Sequence, residues 1–157
     1  MTLVAYSSGD LGFPTAVDFE FFLAFESLLL DRVKKNHYLD LLVRFQGQEV
    51  IERAGKERAG RSYQELSRCL LRMNGLMIGI GSGKTEKDQP VHTKSRRPTF
   101  MHIFQSLTLP GTVDKEGIVV DGYEVVLQDW YRDSLLAGNC FVVDHQLFQN
   151  VKGHITK

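Results

Sequence analysis

The sequence predicts an α+β fold of winged helix-turn-helix type, and three observations carry that expectation. Residues 61–74 read as a short amphipathic helix with an arginine stripe, running straight into the strand-like LMIGIG at 76–81. A polar, basic stretch, GSGKTEKDQPVHTKSRRP, separates that strand from a second run of β-formers at 99–109. Ahead of them lie a long apolar helix, a short strand and a short helix, so that a helix pair precedes a hairpin with a basic tip. The 157 residues fit one domain, 1–157, long enough to bury about 70% of its unfolded surface.

Taken in order, Thr15-Ala-Val-Asp18 after Pro14 matches a capping box and opens the helix VDFEFFLAFESLLLDRV. That helix is apolar on most of its faces, so it belongs at the centre of the core, with Phe19, Phe21, Phe22 and Phe25 serving as core or dimer seam. LDLLVRF (39–45) is a short apolar run expected as a buried strand, and QGQEVIERAG (46–55) a short helix ending at Gly55. KERAG is a polar turn. In the next helix Ser62 is placed to cap, with Glu65 as its capping-box partner. At 100° per residue, Tyr63, Leu66, Leu70, Leu71 and Met73 gather on one side and Arg61, Glu65, Arg68 and Arg72 on the other. TFMHIFQSLTL (99–109) is expected as one return strand, and residues 82–98 as a flexible basic wing loop. PGTVDKEGIVVDG forms a turn-rich connection. A C-terminal strand-helix-strand extension follows: YEVVLQDWYRDSLLAG stopped by Gly138, FVVD at 141–144, and a short helix from His145.

The formal net charge of zero conceals a split. Residues 53–97 hold eleven Lys/Arg against four Asp/Glu, leaving eight against fifteen elsewhere. One face is thereby suited to a polyanion while the remainder repels it. Hydrophobic content of 43% and charged content of 24% fit an ordinary globule. No stretch approaches 18 uncharged apolar residues, and MTLVAYSSGD lacks the basic and apolar regions of a secretory signal. Cys69 and Cys140 both look like small buried hydrophobes in a reducing compartment, and a cytoplasmic location follows.

Signals for catalysis do not hold together. GIGSGKT resembles a phosphate loop, but Ile78 stands where the first glycine is required and no helix follows. A nucleophile elbow at Ser82 fails because Ile80 replaces its first glycine. His37, His92, His102, His145 and His154 show no metal-ligand spacing, and Asp114/Glu116 read as solvated turn residues. No catalytic residue, metal or cofactor is expected.

Three segments together resemble the plasmid replication initiators of the replication initiator protein A (RepA-like) family: GFPTAVDFEFFLAF, RSYQELSRCLLRMNGLMI and VVLQDWYRDSLLAGNCFVVDHQLFQNV, the last reaching a helix start at Phe148. The resemblance implies a winged-helix protein, associated with plasmid or nucleoid, that binds double-stranded origin DNA, helps open it and recruits host replication proteins. It implies no nuclease or polymerase activity. Relatives have two such domains, one of which can chiefly dimerise, so the chain is expected to be an N-terminal fragment or a shortened relative. Arg58, Arg61, Ser62, Tyr63, Gln64, Arg68 and Arg72 are the DNA-binding candidates of the helix. Gln64 suits adenine and an arginine suits guanine. Lys84, Lys87, Lys94, Arg96 and Arg97 of the wing would neutralise phosphates. The alternative is a winged-helix homodimerisation or protein-interaction module without direct DNA contact, built on the Phe19–Phe25 helix or the hairpin.

Overall fold

A computed structural model of the chain describes residues 2–7, 9–81, 99–113, 115–118 and 122–138. Among them the elements run β1 (Thr2–Tyr6), α1 (Ala16–Asn36), β2 (Leu42–Phe45), α2 (Gly47–Arg53) and α3 (Gly60–Gly75). They continue with β3 (Met77–Gly81), β4 (Thr99–His102), β5 (Phe104–Thr108), β6 (Tyr123–Leu127) and α4 (Asp129–Leu136). The expected order from α1 to α4 is present. The wing loop 82–98, Cys140, the strand expected at 141–144, the helix beyond it and Phe148 lie outside the described residues.

α1 begins where its sequence says it should. Thr15 Oγ1 accepts from the Asp18 backbone N–H, and the Asp18 carboxylate accepts from the Thr15 N–H at 2.7 Å, closing the capping box. Its apolar side forms the floor of the core: Phe21, Phe22, Phe25 and Leu29 are fully buried. Phe25 meets Phe104 edge-on with ring centroids 5.8 Å apart, and Phe45 stacks on Tyr123 at 5.2 Å. Most of the phenylalanine cluster is therefore part of the core.

Two three-stranded antiparallel sheets complete the architecture, with orders β1-β3-β4 and β2-β6-β5. β3 and β4 form the expected hairpin, in register from Met77 opposite His102 to Ile80 opposite Thr99. The run 99–109 departs from expectation by serving both sheets. It breaks at the buried Ile103, whose carbonyl accepts from the Gln128 N–H at 3.0 Å, while Trp130 Nε1 donates to the His102 carbonyl at 2.9 Å. These bonds from the start of α4 hold the corner, and a bulge between Phe104 and Ser106 turns β5 into the second sheet. β6 also proves to be no peripheral extension. It lies between β2 and β5, with Tyr123, Val125 and Leu127 turned into the core. β1, which carries no turn or period signal of its own, pairs with β3 from Thr2 opposite Gly81 to Tyr6 opposite Met77.

Candidate nucleic-acid interface

α3 spans 16 residues and starts earlier than its sequence suggests. Its N-cap is Ala59, without a side-chain cap, and the Ala59 carbonyl accepts from the Ser62 N–H at 2.9 Å. Ser62, named among the DNA-contacting candidates, is thus a buried first-turn residue and no cap. The reason is burial: Ser62 falls on the same stripe as Leu66, Cys69, Leu70 and Met73, all of which pack inward. That stripe is rotated from the one expected, so Tyr63 and Leu71 leave the packed side.

The arginines separate by partner. Arg61 Nε donates to Glu65 Oε1 at 3.0 Å across one helical turn, and Arg58 pairs with Glu52. Both remain exposed. Arg72 is different, with only 20% of its side chain exposed and its Nη1 2.7 Å from Oδ2 of the buried Asp18. Its Nε also donates to the Leu11 carbonyl at 3.0 Å. By this geometry Arg72, one of the expected DNA-facing arginines, clamps α3 to the N-terminus of α1, where Asp18 is the capping-box partner of Thr15. The Cys69 thiol supports the same junction by donating to the Asp18 carbonyl at 3.2 Å. Burial pushes that thiol well above its usual pKa, with the nearby Asp18 charge acting the same way and Arg72 opposing it. Cys69 is the buried small hydrophobe the sequence suggested.

Gln64 and Arg68 remain, exposed and without an ion pair or hydrogen bond among the described residues. They border an open concavity of about 530 Å³ that also takes in Tyr63 and Leu71 of α3, with Leu11 and Pro110 at its margins. Ser67, between them, is fixed by a 2.8 Å hydrogen bond with the Tyr123 hydroxyl. Burial raises the pKa of Tyr123, against the lowering effect of that bond. Gly47 packs closely against two of the lining rings, because a Cβ there would stand 2.9 Å from ring carbons of both Tyr63 and Tyr123. Sequence periodicity missed Ser67, Leu71 and Tyr123 as surroundings of the site. Only Leu71 left a signal, as an apolar residue out of phase with the buried stripe.

The wing candidates Lys84, Lys87, Lys94, Arg96 and Arg97 lie outside the described residues. The two strands that carry their segment, β3 and β4, are paired, and β3 follows α3 after Leu76 alone. Another arginine group, Arg32, Arg44 and Arg132 around Tyr38, lies near the far end of α1. There Arg44 pairs with Glu124 at 2.9 Å and Arg132 with Asp133 at 3.2 Å, so carboxylates offset two of its three charges. Among the described residues no His, Cys, Asp and Glu group is arranged to hold a metal ion, and no helix is long and apolar enough to cross a membrane.

The sequence pattern that defines the family described as replication initiator protein A matches residues 1–156. The chain belongs to that family. No curated protein matches it significantly. Among solved structures it is similar to domains 2 and 3 of RctB. One crystal structure superimposes with a TM-score of 0.61 at 10% identity over 96% of this chain, and a second with 0.62 at 11% over 88%. The chain spans 58% and 50% of those two solved chains. At that identity the likeness concerns the fold: a mixed α+β arrangement of four helices and small antiparallel sheets among the described residues.

Proposed function

We propose that this family member is a non-enzymatic, origin-binding protein that holds duplex DNA with a winged helix-turn-helix. In this reading α2 and α3 are the helix pair, α3 enters the major groove, and the β3–β4 hairpin with residues 82–98 is the wing. The observation that carries it is the outward face of α3. After Arg61, Arg58 and Arg72 have found carboxylates, Gln64 and Arg68 still project without partners among the described residues, from a helix whose opposite side is packed. A long arginine held outward on a rigid element is suited to the O6 and N7 acceptors of guanine, and glutamine to adenine. The basic tip adds phosphate attraction that carries no sequence information. The family membership and the fold likeness support the assignment to replication initiation. The consumption of Phe21, Phe22 and Phe25 by the core weighs against a dimerisation module built on α1.

The test is duplex binding by the full chain as a function of salt. With about five wing cations on phosphates plus Arg68, affinity should fall on the order of a thousandfold or more between 50 and 200 mM salt. A chain that binds no duplex at low salt, and scatters light as a salt-insensitive dimer, overturns the DNA reading in favour of an interaction module.

A further inference from the structure

We infer that Leu71 is a specificity-determining residue that reads the 5-methyl group of thymine, next to the bases read by Gln64 and Arg68. The inference rests on the duplex-binding reading above and names what that surface selects.

The buried stripe of α3 is centred near Leu66 and Met73. At 100° per residue Leu71 points roughly 160° away from that centre, and lies within about 20° of Gln64 two turns earlier. Leu66 and Leu70 are fully buried, whereas Leu71 remains partly open and borders the same concavity as Gln64 and Arg68. A leucine in that position is not needed to fill the core, which is closed by its neighbours.

Ser67 sharpens the assignment. Its hydroxyl is bonded to the Tyr123 hydroxyl at 2.8 Å, which holds it against β6. The outward stripe available to DNA then reads Gln64, Arg68, Leu71. At 1.5 Å per residue these span about 10 Å, the rise of roughly three base-pair steps. Glutamine and arginine match the polar edges of adenine and guanine, and an aliphatic side chain matches the one apolar feature of the major groove, the thymine methyl. Leu11 and Pro110 extend the apolar margin on which that methyl would be withdrawn from water.

The experiment selects binding sites from a random-sequence duplex pool with the full chain, then replaces each thymine of the recovered site by deoxyuridine in turn. At one thymine, uracil should weaken wild-type binding about fourfold, the weight of one methyl withdrawn from water. Leu71→Ala should bind the thymine and uracil duplexes equally, and Leu71→Met should keep the discrimination. Equal wild-type affinity at every thymine, or an L71A variant that still discriminates, overturns the role of Leu71 while leaving duplex binding intact. Failure to recover any duplex overturns the DNA reading itself and this assignment with it.

Discussion

Arg68 and Arg72 occupy successive turns of one helix, and Arg72 Nη1 lies 2.7 Å from a buried carboxylate while Arg68 has no ion-pair partner among the described residues. The two positions should respond oppositely to substitution. Arg68→Glu should abolish duplex binding and leave the melting temperature unchanged, because an exposed side chain without partners adds little to stability. Arg72→Ala leaves Asp18 buried beside an empty position, which costs about 3 kcal/mol for a broken buried pair. In a chain of this size that corresponds to a melting temperature lower by roughly 10 °C. Differential scanning calorimetry paired with a mobility-shift assay separates the effects. An Arg72→Ala protein as stable as wild type removes the clamp assigned to this residue.

At the scale of elements, the outward face of α3 is set by what lies beneath it. Tyr63 of α3 and Tyr123 of β6 approach each other over Gly47, the first residue of α2, and β6 holds Ser67 through the Tyr123 hydroxyl. A methyl group at position 47 would meet both rings at 2.9 Å, closer than carbon atoms normally approach. Gly47→Ala should therefore displace one or both tyrosines and destabilise the protein by about 1–3 kcal/mol, as overpacking does. Urea unfolding measures the cost. Shifted Tyr63 and Tyr123 resonances, alongside unshifted ones for the distant Tyr38, would locate the disturbance. An unchanged urea midpoint would show that this junction has slack. The Ile103 corner is the second element-level device, since it lets one continuous run of β-formers serve two sheets.

For the whole molecule, stability should depend on pH through the two groups whose protonated forms the fold favours. Burial raises the pKa of both Cys69 and Tyr123. A folded-state pKa above the unfolded value gives stability that is complete below the unfolded pKa. It is lost as pH rises, because the unfolded chain releases the proton first. The unfolded thiol titrates near about 8.5 and the phenol near about 10. The denaturation midpoint should hold between pH 7 and 8 and fall between pH 8.5 and 10.5. Cys69→Ala should remove the lower part of that fall, and a midpoint flat to pH 10.5 in the wild type contradicts it.

Local signals determined much of this protein by themselves. The capping box at Thr15 and Asp18, the apolar density of α1, the glycine stop at 138 and the amphipathic period of α3 are short-range patterns; they place α1 and the end of α4 and announce α3, whose start and buried stripe are shifted from the expected ones. The family was legible too, from short segments of the sequence. Other outcomes only the tertiary structure decided. Whether β1 forms depends on a partner some 75 residues away, and whether 99–109 is one strand or two depends on α4 and β6. Which arginine of the stripe is free depends on Asp18, which lies 54 residues from Arg72 in sequence. Periodicity fixes the direction of a side chain around its own helix axis to within a few tens of degrees. It carries no information about the neighbouring carboxylate or ring that captures that side chain, and at this site capture separates the residues that build the helix from those left to meet a ligand.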